Sequence, residues 1–424
     1  MTRATTERLL FVDRGAAVPL DLAGHLANHG HLAVPARDYP SWRAEMFRAV
    51  AESGILGRGG GGFPAAAKWD AFRRDPRRPM VVVNAMEGEP ASDKDQVLLS
   101  YSPHLVLDGA ETAAAVIGAS EIVICIADGN STAASSIEAA IGDRGRAGMS
   151  GRRASVARPP GRYVTGEESA LVSWLNHRPA LPKWRIDKSV PLSVARRPAL
   201  VHNAETLAQI ALIARHGPEW FRRVGSPEVP GSMLVTVTGA VRSPGVLEVE
   251  IGTPVAEILG RVGIDAELSA VLLGGYGGAW VDASRLATAY GAGANHGVGV
   301  VVALSAASCG IAETARLVRY LAGESAGQCG PCVFGLPAIA GDLEQLSAGR
   351  ADAEVLARIR RRSASVEGRG GCRHPDGAVR LVRSALEVFA ADAMGHAQGR
   401  PCSGHDLPTV LTFPPSRPPG GRTP

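Results

Sequence analysis

The sequence predicts an α/β protein in three folded parts, and three observations lead there. Two short apolar runs rich in β-branched residues, 80–83 and 121–127, flank a helical stretch at 103–118, the spacing of a βαβ unit. From Ser232 the pattern becomes strand, Gly/Pro turn, strand and short helix. From Ile311 onward apolar residues recur at helical spacing. The expectation is an α/β domain over 1–230, a small β-rich module over 231–305, a helical bundle over 306–398, and a disordered tail at 399–424.

Taken in order, the segment WRAEMFRAVA at 42–51 reads as an amphipathic helix stopped by the glycines of LGRGGGGFP at 56–64. The run MVVV at 80–83 is the first buried strand and EIVICIA at 121–127 the second, with the stretch 103–118 crossing between them. A parallel sheet covered by helices follows, and such sheets bind ligands where loops leave the carboxyl ends of the strands. In the second module, MLVTVTGAVRSPGVLEVEIGTPVAEILG supplies two strands and a helix beginning near Thr253. LLGGYGGAW at 272–280 sets four glycines at a strand end, and GVVVAL at 299–304 is a further buried strand.

Composition excludes several classes. With 45 basic and 41 acidic residues the net charge is +4, too small to argue for nucleic acid as partner. The N-terminal residues hold no signal-peptide apolar region, so a cytoplasmic protein is expected. The most apolar stretch, 297–307, falls short of the roughly 20 residues that cross a bilayer, so membrane contact would be peripheral and through a partner. Six cysteines in 424 residues without a secretory signal point to metal or redox chemistry rather than a disulfide framework.

Four motifs could carry chemistry. Gly57, Arg58, Gly59, Gly60, Gly61, Gly62, Phe63 and Pro64 form the first, followed by Lys68 and Trp69. Consecutive glycines bring backbone amides up to a phosphate, a helix starting near Pro64 would point its positive end there, and Arg58 and Lys68 would add charge. The spacing is neither a Walker loop nor GxGxxG, and a flexible surface loop is the bland alternative. The second motif, Asn84 to Pro90 (NAMEGEP), leaves the MVVV strand with Glu87 and Glu89 able to accept from ribose hydroxyls or a flavin ring, or forms a solvated turn. The third, YVTGEESAL at 163–171, opens a helix with an acidic pair, Glu167 and Glu168, that could simply offset the helix dipole. The fourth is ESAGQCGPC at 324–332 with Cys372 further on in GRGGCRHPDG.

In this order the motifs resemble, over most of the chain, those of the family of flavin-carrying, NADH-binding subunits of respiratory complex I. That family carries a GRGGxGFP loop with a following KW, an NxDEGEP loop, a YxxGEE helix start, an NxETL segment, a β-grasp-like soluble-ligand-binding module and a C-terminal CGxCxPC motif. The resemblance implies a Rossmann-like first domain, a β-grasp-like second, and an iron–sulfur site on the helical bundle. It implies flavin mononucleotide (FMN) held by Gly57, Arg58, Gly59, Gly60, Lys68, Asn84, Glu87, Gly166, Glu167 and Asn203. It implies NADH against Phe63, Glu89, Glu168, Lys183 and Arg185. Electrons would pass from NADH through FMN to a 4Fe-4S cluster on Cys329, Cys332 and Cys372, and on to an iron–sulfur acceptor protein.

Departures from the family are specific. Its acid between Ala85 and Glu87 is here Met86, its Lys-Pro-Pro-Phe-Pro run is replaced around 183–188, and the first asparagine of its NNxETL is His202. The first cluster cysteine is Ala326, which cannot ligate iron, so Cys309 or Cys402 is the candidate fourth ligand. Two further readings stand beside NADH oxidation: a relay or docking protein that no longer uses NADH, and a structural zinc on the CxxC with distant cysteines or His374 and His405.

Overall fold

The computed structural model describes residues 8–13, 16–35, 39–72, 77–149, 151–184, 190–291, 297–352 and 354–414. The first sheet runs in the order Arg153–Ala157, Glu121–Ile126, Met80–Ala85, Arg197–Asn203, Leu192–Val194. Its four longer strands are parallel, and the short Leu192–Val194 is an antiparallel edge. Alternation decides which face each side chain meets. Val81 and Val83 join the core beneath the helices Pro103–Ile117 and Ala204–Phe221, while Met80, Val82 and Met86 pack with Leu171 and Val172 of Glu168–Leu175 on the other face. Every residue of Pro103–Ile117 is buried. Its contact with Ala204–Phe221 is so close that a Cβ on Gly109 would lie 1.8 Å from the Leu207 carbonyl oxygen, so glycine alone fits.

The second sheet has the order Ala279–Asp282, Leu268–Leu273, Val300–Ser305, Ser232–Gly239, Gly245–Glu250, with one parallel pair, Val300–Ser305 on Ser232–Gly239. The helix predicted from Thr253 is Val255–Val262, and it buries Val255, Ile258, Leu259 and Val262, the spacing of one helical face. Beyond it come the helices Gly310–Gly323, Leu336–Ser347, Val355–Val366, His374–Val388 and Ala390–Ala397. These helices and one face of the second sheet share a core in which Tyr276 and Trp280 meet Leu317, Leu321 and Leu381.

The stretch expected to be a disordered tail packs against this bundle as far as residue 414. Leu411 is buried, Phe413 lies 5.6 Å from the rings of Tyr276 and Tyr320, and the Thr409 hydroxyl donates to Glu313 at 2.6 Å. Two apolar side chains among the prolines supply enough contact to order the segment. Residues 415–424 lie outside the described residues. No helix among the described residues is long and apolar enough to cross a membrane.

Candidate functional site

The order of the first sheet reverses beside Met80–Ala85: the chain continues to Glu121–Ile126 on one side and returns to Arg197–Asn203 on the other. Loops leaving the two strands diverge at such a switch point and leave a crevice. Asn84 and Asn203 stand in register there. The glycine loop lies over them: a Cβ on Gly59 would sit 3.3 Å from the Asn203 Cβ and one on Gly60 2.9 Å from Val298 Cγ1, whereas one on Gly61 would meet nothing within 4 Å. The Gly57 amide donates to the Phe63 carbonyl at 2.9 Å, and Gly60 and Gly62 have φ of 90° and 57°, conformations that side chains resist. Phe63 is 52% exposed on this loop.

Arg58 does not add charge to the loop. It is 3% exposed, its amide donates to the Thr206 hydroxyl at 2.9 Å, and its guanidinium reaches inward to the Pro230 carbonyl at 3.3 Å. The helix after Pro64, Ala65–Asp70, has only six residues, so loop amides rather than a long helix dipole face the crevice. Lys68 ties the first motif to the third: its ammonium lies 3.0 Å from Glu168 Oε2 and 3.1 Å from the Val201 carbonyl. Beneath it the buried Trp69 indole donates to His202 Nε2 at 2.9 Å, so the residue at the family's asparagine position serves here as an acceptor. Burial, then Lys68, holds that imidazole well below its usual pKa.

At the heart of the crevice is a buried charge network that the motifs do not announce. Lys94 contacts Asp95 at 2.7 Å, Glu205 at 3.0 Å and the side-chain carbonyl oxygen of Asn203 at 3.3 Å. Asn203 Nδ2 in turn donates to Asp95 at 2.7 Å and to the Asn84 backbone carbonyl at 3.2 Å, and Asn84 Nδ2 donates to the Gly166 carbonyl at 2.9 Å. Burial alone would lower the Lys94 pKa, but Asp95 and Glu205 more than offset it and the group stays charged. The chain has only four lysines, and two of them, Lys68 and Lys94, stand here; that scarcity was the available signal.

Two expected flavin contacts are engaged in capping. Glu87, at φ 44°, accepts from the amides of Asp95 and Gln96, both at 2.8 Å, and from the Ser92 hydroxyl at 2.9 Å, at the start of Lys94–Tyr101. Burial, reinforced by Asp95, raises its pKa to about 8. Glu167 caps Glu168–Leu175 by accepting from the Ser169 and Ala170 amides at 3.0 and 2.9 Å. Met86, in place of the family acid, is buried among apolar side chains. Lys183 donates its amide to Ser169 Oγ at 2.8 Å, and Arg185 lies outside the described residues.

Glu89 joins the first two folded parts, and its partner Tyr163 reaches the third. It is 6% exposed and accepts from the Tyr276 amide at 2.9 Å, in the glycine hairpin of the second sheet, and from the Tyr163 hydroxyl at 3.4 Å. Burial raises its pKa to about 7, against the pull of those donors. A Cβ on Gly275 would stand 2.6 Å from its carboxylate, so the glycines at that strand end make room for an acid. The Tyr163 amide donates to Glu324 at 3.0 Å, and the Tyr163 ring packs edge-on to His374 at 5.3 Å. Glu324 opens the cysteine motif, so the third and fourth motifs touch directly.

Cys332 is buried, its amide donates to the Cys329 carbonyl at 3.0 Å, and burial, then Cys329 and Cys372, raises its thiol pKa. Cys372 also senses the Glu167 carboxylate of the third motif. The fourth-ligand candidates fall elsewhere. Cys309 caps the start of Gly310–Gly323, a 14-residue helix whose far end leads to Ala326, roughly 20 Å away at 1.5 Å per residue. Cys402 sits with Cys309, both beside His396. Neither completes the ligand set at Ala326.

The groups present suit the two implied cofactors unequally. For a flavin phosphate and ring there are glycine amides, open space above Gly61, and the Thr165 hydroxyl, buried with no partner among the described residues. For a four-iron cluster there are three thiols of the usual four.

A family model described as the Nuo51 FMN-binding domain matches residues 50–212, an SLBB domain model matches 234–263, and the NADH-ubiquinone oxidoreductase-F iron-sulfur binding region matches 312–396. The second F-type NADH-quinone oxidoreductase subunit of Rhizobium meliloti (strain 1021) is 29% identical over 381 residues, covering 85% of this chain and 90% of that protein. The F-type subunit of Streptomyces coelicolor is 28% identical over 377 residues, 84% of each. A crystal structure of NAD+-reducing [NiFe]-hydrogenase in the H2-reduced state superposes with a TM-score of 0.81 at 29% identity, over 92% of this chain and 69% of that one. With the FMN-binding, SLBB and iron–sulfur regions in the same order on a matching fold, the chain is similar over most of its length to F-type NADH-quinone oxidoreductase subunits.

Proposed function

We propose that this chain is an electron-input protein that oxidises NADH at FMN and delivers electrons through a cluster on Cys329, Cys332 and Cys372 to an iron–sulfur partner. The observation that carries the reading is the contiguity of the parts: Glu89 bonds the glycine hairpin and Tyr163, and Tyr163 bonds Glu324 of the cysteine loop. Bound FMN supplies the chemistry, accepting an electron pair and releasing electrons singly. The protein's part is positioning. Amides of Gly59 and Gly60 would face the phosphate, with Lys68 as the nearby cation. Asn84 and Asn203, fixed by Lys94 and Asp95, set the crevice floor, and Gly166 leaves room beside it. Phe63 offers an exposed ring for stacking on a nicotinamide or adenine, and Glu168 and Glu89 would be the carboxylates for the ribose hydroxyls. Cys329, Cys332 and Cys372 would hold the cluster, whose fourth iron, lacking a cysteine, would be labile.

A second reading, a relay protein without NADH use, is favoured by the apolar Met86 in the acid's position and by Lys183 offering its amide to Ser169. Adding NADH anaerobically to the flavin-loaded protein separates the two: bleaching of the flavin bands supports oxidation of NADH, and unchanged bands support the relay.

A further inference from the structure

Cys309, His396 and Cys402 present their ligand atoms within 4.8 Å of one another. His396 Nε2 lies 3.5 Å from Cys309 Sγ and 3.4 Å from Cys402 Sγ. The Cys402 amide donates to that same Nε2 at 3.2 Å, which marks it as the unprotonated nitrogen. The other ring nitrogen faces the carbonyls of Leu346 and Ser347 at 3.1 and 2.9 Å, where it donates its proton. A histidine whose far N–H is held by a backbone carbonyl, with its other nitrogen within 3.5 Å of two sulfurs, has the outer-shell arrangement of a metal ligand. His396 and Cys309 are buried, Cys402 is half-buried, and His405 stands edge-on to His396 at 6.2 Å.

We propose that these three residues bind a structural Zn2+, separate from the cluster cysteines, with His405 or water in the fourth position. Two thiolates and an imidazole are a donor set that zinc favours. The ion would fasten three pieces of chain, the start of Gly310–Gly323, the helix Ala390–Ala397 and the segment after it, and through the His396 ring it would reach the end of Leu336–Ser347. That segment is already bound downstream, by Arg316 to the Leu407 carbonyl at 2.8 Å and by Thr409 to Glu313. The zinc would thus close the bundle at the end opposite the cluster loop.

The test uses the full chain, purified under reducing conditions, with zinc, iron, sulfide and FMN counted on one sample. About one zinc per chain is expected, and Co2+ in its place should show the thiolate charge-transfer and visible bands of a tetrahedral site. Cys402→Ser, at a half-buried position that tolerates change, should weaken zinc binding by more than about a hundredfold while FMN stays bound, and His396→Gln should do the same. Cys329→Ser should leave zinc in place and lower only iron. The proposal is overturned if folded protein takes up neither metal, if zinc leaves with Cys329→Ser instead, or if mass spectrometry of unreduced protein finds Cys309 and Cys402 joined by a disulfide. Because iron and flavin are counted separately, loss of either without loss of zinc counts against the electron-transfer reading alone.

Discussion

Replacing Lys94 with Met tests whether the buried network sets the crevice floor. The ammonium contacts Asp95 at 2.7 Å and Glu205 at 3.0 Å, with side-chain exposures of 3%, 5% and 0% for the three. Methionine keeps most of the stem but removes the charge, stranding two buried carboxylates. Breaking a buried pair from one side costs about 3–5 kcal/mol, or two to three and a half decades in the folding equilibrium at about 1.4 kcal/mol per decade. The pH dependence supplies a sign. Without the cation, the folded-state pKa of one carboxylate rises above its unfolded value, so the folded variant binds more protons than the unfolded chain. Its stability then falls as pH rises through that window. The deficit against wild type should be largest near pH 8 and shrink toward pH 5.5. Urea unfolding followed by tryptophan fluorescence, with the buried Trp69 as reporter, measures both. Unchanged midpoints at pH 8, or a deficit that grows in acid, would refute the reasoning.

Three other outcomes follow from single groups. Gly60→Ala would force a Cβ to 2.9 Å from Val298 Cγ1 at φ 90°, and should weaken FMN binding at least about tenfold with the fold retained, read by flavin fluorescence titration. Glu89 is raised from 4.5 to about 7, so folding favours its protonated form and the wild type loses stability as pH climbs between those values. Glu89→Gln should flatten that slope by a few kcal/mol between about pH 5 and 8, seen in melts at the two ends. Ala326→Cys restores the family ligand, and iron per reconstituted chain should rise from about three toward about four, with a cluster that resists loss of iron on oxidation.

Much of the fold was legible because periodicity reports burial: the runs 80–83 and 121–127 are buried strands, and the apolar face of Val255–Val262 sits where its spacing puts it. The site was legible as motifs, since glycine runs and carboxylates at strand ends have a physical use at a switch point. What those side chains do was not. Arg58 turns inward because Thr206 and the Pro230 carbonyl receive it, and both belong to segments well over 100 residues away in sequence. Glu87 and Glu167 cap helices, a local role that the same sequence pattern also permits. Lys94 and Glu205 meet only when the sheet closes. The grouping of Cys309 with Cys402 around His396 likewise depends on how helices stack, which spacing does not encode.

The most direct measurement is an anaerobic visible spectrum of the reconstituted protein before and after NADH, with iron and sulfide assayed on the same sample. Oxidation of NADH at this site predicts flavin bands that bleach on adding NADH, together with cluster iron that is lost in Cys332→Ser. A colourless protein, or a flavin that NADH leaves oxidised while dithionite reduces it, would contradict NADH oxidation by this chain.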